Sequence, residues 1–143
     1  MRGINVVKPS DMSAIVPPQI REREFGGKLS AEDRVVLIRA ARVALATPLS
    51  SKGLPAATRL LKAYATSSRG ARRIVYLLSV GDGTLFLLFY RAKTDTVGIN
   101  ITPKNAAFAQ QLKKHLAFLH ADIEAGDYEE IIANVAGPEK RNG

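Results

Sequence analysis

The sequence predicts a small α+β domain in which helices flank a curled antiparallel β-sheet. Three observations predict it. A capped helix opens at Ser30, two β-rich runs are joined by Gly81-Asp82-Gly83, and Thr102-Pro103 signals a further helix after them. The chain of 143 residues suits one domain and is long enough to bury a core.

Residues 1–25 read as an irregular N-terminal extension, because Pro9, Pro17 and Pro18 interrupt any long element. Ile4 to Lys8 or Ala14 to Val16 offers a short edge strand within it. Gly26-Gly27 marks a turn and the start of a single domain spanning 26–136. Ser30 is an N-cap, followed by Glu32 and Asp33 in the first turn, where the helix dipole favours acids. This helix runs to about Ala46 and stops before Pro48. Leu37, Ile38, Ala41, Ala44 and Leu45 form its apolar side, and Arg34, Arg39 and Arg42 lie towards the other. Residues 47–55 read as a loop.

Three strands follow. Ala57 to Tyr64 is one, Ala65 to Gly70 a polar and basic loop, and Arg72 to Val80 the next, carried by Ile-Val-Tyr-Leu-Leu. Gly81-Asp82-Gly83 is a hairpin turn into Thr84 to Ala92. The last two strands are apolar on both faces at their centres. One face is expected to meet the protein's own helices and the other to be covered by something else. After a loop with a possible short strand at Val97 to Ile101, Thr102 caps a helix with Pro103 at its first position. Phe108, Leu112, Leu116, Leu119 and Ile123 form its stripe, and Gly126 ends it. Residues 137–143 read as a disordered tail.

Composition narrows the chemistry. With no cysteine, disulfides, thiolate catalysis and Cys-ligated metal sites are excluded. His115 and His120 are the two histidines, and a spacing of five is not a helical ligand spacing, so neither a metal nor another cofactor is expected. No run approaches the roughly 20 apolar residues of a membrane span, and Met1 to Ser10 lacks a signal-peptide core. The expected location is cytoplasmic. Lys and Arg number 21 against 13 Asp and Glu, a formal charge of +8, so the natural partner is an anion: nucleic acid, an acidic protein, or both.

Three collinear stretches over residues 50–125 then resemble one family. Leu54-Pro55 leads to Thr58-Arg59-Leu60-Leu61-Lys62, which looks like the basic strand of RelE and HigB toxins. Arg69-Gly70-Ala71-Arg72-Arg73-Ile74-Val75-Tyr76 is similar to their Gly-x-Arg-hydrophobic-hydrophobic-Tyr strand. Leu87-Leu88-Phe89-Tyr90-Arg91-Ala92-Lys93, followed by Ile101-Thr102-Pro103, resembles the HigB-type Leu-Leu-x-x-Tyr-Ala-Lys strand and its Leu-Thr-Pro helix start. The chain thus resembles the RelE/HigB/ParE superfamily of toxins. The resemblance implies a microbial-ribonuclease-like sheet, a cognate antitoxin as partner, and mRNA as target, cleaved in association with the ribosome. ParE types instead poison DNA gyrase without being enzymes.

A metal-free ribonuclease must align a 2′-hydroxyl with the scissile phosphate, stabilise the phosphate charge and protonate the leaving 5′-oxygen. Arg73 matches the family's strand Arg and is expected to hold the phosphate; alternation turns Arg72 the other way. Lys93 matches the Ala-Lys position and is expected to contact phosphate or donate the proton, the alternative being a plain charge at a strand end. Arg59, Lys62, Arg69 and Arg91 complete the expected RNA-binding set. Arg59 and Lys62 lie three apart and share a face only if the strand is bulged or strongly twisted. Arg91 stands where the HigB pattern has Tyr, with Tyr90 one place early. Tyr64 either stacks on a base or packs on the sheet. No general base is assigned: lysine, at an unperturbed pKa of roughly 10.4, is a poor one at neutral pH, packing accounts better for His115, and His120 is expected to be exposed. The functions left open are an mRNA endoribonuclease, a ParE-like gyrase inhibitor, and a non-catalytic nucleic-acid-binding relative.

Overall fold

The computed structural model describes residues 13–44, 54, 56–79, 83–95, 97–98, 101–102, 104–126 and 129–132. They form β1 (Ser13–Val16), α1 (Pro18–Phe25), α2 (Ala31–Ala44), β2 (Thr58–Ser67), β3 (Gly70–Ser79), β4 (Thr84–Ala92), α3 (Ala106–Ala125) and β5 (Glu129–Ile132). The class is α+β, with five strands in the order β2-β3-β4-β1-β5. The alternative strand at Ile4–Lys8, the helix end at 45–46, most of the loop 47–55 and the tail 137–143 lie outside the described residues. No helix among the described residues is long and apolar enough to cross a membrane.

Strands β2, β3 and β4 are antiparallel, as their sequences predict. The loop expected at 65–70 is only a turn at Ser68 and Arg69, because Ala65 to Ser67 pair with Arg72 to Gly70 and continue the ladder. Residues 80–82 of the expected turn into β4 lie outside the described residues. The expected all-antiparallel sheet is corrected at β1, which runs parallel to β4 and antiparallel to β5. The chain leaves β1 through two helices and crosses to the far side of the sheet. Such a crossover frees β1 from the alternation that hairpins impose. β1 is also interior rather than an edge, and residues 18–25, expected to be irregular, form a helix. Pro17 and Pro18 do not break it, because they stand at its N-cap and first position, where no N–H is needed. Proline supplies no side-chain cap; Asp122 of α3 does instead, accepting from Gln19 N at 2.9 Å and Gln19 Nε2 at 3.1 Å.

Helix α2 starts as its sequence predicts. Asp33 N donates to Ser30 Oγ at 3.0 Å and Ser30 N donates to Asp33 Oδ2 at 3.2 Å, a reciprocal cap with Asp in the third position. Ser30→Ala is expected to cost about 1 kcal/mol of unfolding free energy in urea; an unchanged midpoint would mean the cap contributes nothing. Helix α3 begins later than Thr102-Pro103 suggests. Asn105 is the cap, accepting from Ala107 N at 3.1 Å, while Thr102 forms a preceding turn. The buried face of α3 is Phe108, His115, Leu119 and Asp122, with Leu112 and Leu116 half-buried and Ile123 exposed. Val97 and Gly98 lie in a turn, and no strand forms among the described residues of 97–101.

Both sheet faces are covered by the chain's own helices, which corrects the expectation of one face left for another molecule. Tyr76, on one face, donates its hydroxyl to Leu37 O of α2 at 2.7 Å. Phe89, on the other, stacks on His115 and packs against Phe108 of α3. Register explains the double apolarity of β4. The β3–β4 ladder shifts after Val75 ↔ Phe89 to Tyr76 ↔ Leu87, leaving Leu88 as an extra residue. This bulge reverses parity, so Phe86 and Phe89 share the α3 face. Helix α1 packs on α3 and on β4.

Candidate nucleic-acid interface

Cross-strand register puts Tyr64, Arg73 and Arg91 in one row, on the α3 side of the sheet. Alternation adds Lys62 to that face from β2 and extends it to Lys93 just past β4. Lys93 N donates to Ala71 O at 3.1 Å, which continues the ladder into the turn, and its side chain is exposed. Tyr64 is 53% exposed, far more than a sheet-packing tyrosine. The Arg73 guanidinium lies 4.1 Å from the Tyr64 ring centroid, and Lys62 Nζ lies 5.6 Å from it. The open end of the sheet therefore presents an aromatic face held between cations. Among the described residues, no carboxylate is in salt-bridge contact with Lys62, Arg73 or Lys93.

Arg91 is different. Its Nε and Nη2 donate to the two oxygens of Glu24 at 2.7 and 2.8 Å, and its Nη1 donates to Asp95 at 3.0 Å. Glu24 also accepts from Tyr90 N at 2.7 Å, so α1 satisfies the edge of β4 beyond the end of β1. The second Glu24 oxygen lies 2.9 Å from His115 Nε2. Burial pushes the Glu24 carboxyl up, but hydrogen bonds from His115, Arg91 and Tyr90 and the Arg91 charge outweigh it and hold the pKa below its ordinary value. Asp95 is held low in the same way. Partial burial is overcome by the N–H groups of Val97 and Gly98 and by Arg91, and these bonds order the loop after Lys93. Arg91 itself is raised: burial opposes its charge, and Glu24 and Asp95 more than compensate. Its fork is thus spent on carboxylates rather than open to phosphate.

The remaining expected site residues are dispersed. The β2–β3 register is unbroken from Thr58 to Ser67, so Arg59 and Lys62 face opposite ways and only Lys62 joins the row. Arg69 is exposed on the β2–β3 turn. Arg72, on the α2 side, donates Nε to Ser67 Oγ at 3.3 Å and lies 5.4 Å from the Tyr90 ring centroid. His115 is buried, with no partner for its Nδ1 among the described residues, and His120 is exposed.

Glu24 and Asp95 were not legible as site residues. The one available signal for Glu24 is its place four residues after Ile20, on the buried face of a helix that the prolines conceal. Among the described residues no group of His, Cys, Asp and Glu could hold a metal ion. No protein-family model, curated protein or solved structure matches the chain.

Proposed function

We propose that the protein is the toxin of a RelE/HigB/ParE-type toxin–antitoxin pair and a metal-free endoribonuclease that cleaves mRNA. The observation that carries this reading is half-buried Arg73 stacked on exposed Tyr64, with Lys62 5.6 Å from the same ring and Lys93 exposed just past β4, cations unanswered by carboxylates among the described residues. A base stacks on Tyr64, and the adjoining phosphate meets Arg73. The 2′-oxygen attacks phosphorus, the bond to the 5′-oxygen breaks, and Lys93 gives that oxygen a proton. The products are a 2′,3′-cyclic phosphate and a 5′-hydroxyl. Two imidazoles lie on this side of the sheet, but His115 is buried against Phe89 and bonded to Glu24, and His120 stands near Leu77 and Phe86 towards the other end of the strands. No residue of the chain is assigned as the base; in this reading a group of the ribosome, to which the reaction is tied, takes up the 2′-hydroxyl proton. The antitoxin supplies an acidic or amphipathic segment that covers the same cations.

Purified protein is added to translating ribosomes, and new RNA 5′ ends are mapped for the wild type and for Arg73→Ala/Lys93→Ala. The wild type is expected to produce new ends, and the double variant to be slower by at least about 100-fold with an unchanged Tm. Equal cleavage by both removes this pair from the site. RNA binding without cleavage makes the protein a non-catalytic binder, and, when the protein is expressed in cells, growth arrest without new ends moves the target to gyrase, tested by supercoiling.

A further inference from the structure

A second cluster of cations lies on the opposite, α2 side of the sheet. Lys28 from the α1–α2 loop, Arg69 from the β2–β3 turn and Arg72 from β3 line a cleft of about 360 Å³ with Phe25, Ser30 and Tyr90. That volume is at the small end of ligand-sized clefts. Among the described residues none of these three cations is in salt-bridge contact with a carboxylate. Two acids also line the cleft, and both are occupied. Glu24 is spent on Arg91, His115 and Tyr90 N. Asp33 accepts from Ser30 N through one oxygen and from the Tyr90 hydroxyl at 3.2 Å through the other. The lining holds three cations against two carboxylates, with Glu32, bonded to Ser68 beside Arg69, close to it. The Arg72 guanidinium is positioned by Ser67 and by the Tyr90 ring, which itself stacks on Phe25 at 4.7 Å. Arg72 is therefore held, rather than a freely waving surface charge.

We infer that this cleft is a phosphate-binding site that takes the phosphate of a nucleotide, with Arg72 as its fixed donor and Lys28 and Arg69 as flanking cations. The site rests on its own residues and not on the Arg73 face. If the ribonuclease reading holds, its natural occupant is a phosphodiester of the same RNA, because Arg72 and Arg73 are consecutive and face opposite sides of one strand end. An RNA chain passing over the β2–β3 turn meets both.

The test titrates inorganic phosphate into the full-length 15N-labelled protein and follows the Arg Nε–H signals. The Arg69 and Arg72 signals are expected to shift saturably, and Lys28→Gln/Arg72→Gln to weaken binding by at least about tenfold. Arg73→Ala is expected to leave this titration unchanged, so failure of the ribonuclease reading is scored separately. No saturable shift at Arg72, or equal binding by the double variant, overturns the site. Adenosine 5′-monophosphate and an all-deoxy 12-mer are then compared as competitors. Displacement by the 12-mer, with a salt slope that falls by about one in Arg72→Gln, supports an RNA occupant. Displacement by the mononucleotide alone supports the phosphate site and overturns its assignment to the RNA chain.

Discussion

Glu24→Ala is expected to lower the unfolding free energy by about 3–5 kcal/mol, the usual cost of removing one partner from a buried ion pair. The Glu24 side chain is 0% exposed and Arg91 21%, so water cannot replace what is lost. The variant strips an acceptor from Arg91, from the Tyr90 N–H and from buried His115 at once. Urea unfolding measures the effect, and a loss under about 1 kcal/mol would mean that the network is not formed in solution. The acid limb of stability gives an independent reading. Glu24 and Asp95 both have folded pKa values below their ordinary ones. Their stabilisation is therefore complete above the ordinary carboxylate range and is lost as pH falls through the folded values. Wild-type stability is expected to decline below about pH 4.3, and Glu24→Gln to decline less steeply. Identical slopes would exclude Glu24 as a source of the acid sensitivity.

Phe89→Ala is expected to cost about 3–5 kcal/mol as well, by a different route. Phe89 is fully buried, 4.4 Å from the His115 ring and 5.4 Å from Phe108, and it fastens α3 to the sheet. Deleting the ring opens a cavity that the bulged strand cannot close, because Leu88 and Tyr90 face the other way. It also removes the ring that lies 5.5 Å below the Arg91 guanidinium. Calorimetry is expected to show a fall in Tm of roughly 10 °C. A change of one or two degrees would place Phe89 outside the core.

These two residues show where sequence reasoning reached and where it stopped. Phe89 was legible as a core residue of a β-rich run; that it shares a face with Phe86 was not, since the bulge at Leu88 inverts strict alternation. Glu24 was hidden inside a proline-marked extension, and Arg91, its partner, was grouped with the phosphate ligands. The two are 67 residues apart, and no local pattern reports such a contact. The same holds on the other face, where Lys28, Arg69 and Arg72 come from three separate segments.

The α+β class, the three antiparallel strands, the Ser30 cap and the basic character of the chain were all written in local sequence, because caps, turns and β-rich runs act over a few residues. Tertiary packing alone decided the parallel placement of β1, the helix after Pro17, and which arginines remain open to an anion. Those outcomes depend on long-range partners, as a cation's availability is set by the carboxylate that folding brings to it. Arg73 kept an open aromatic neighbour, whereas Arg91 met Glu24.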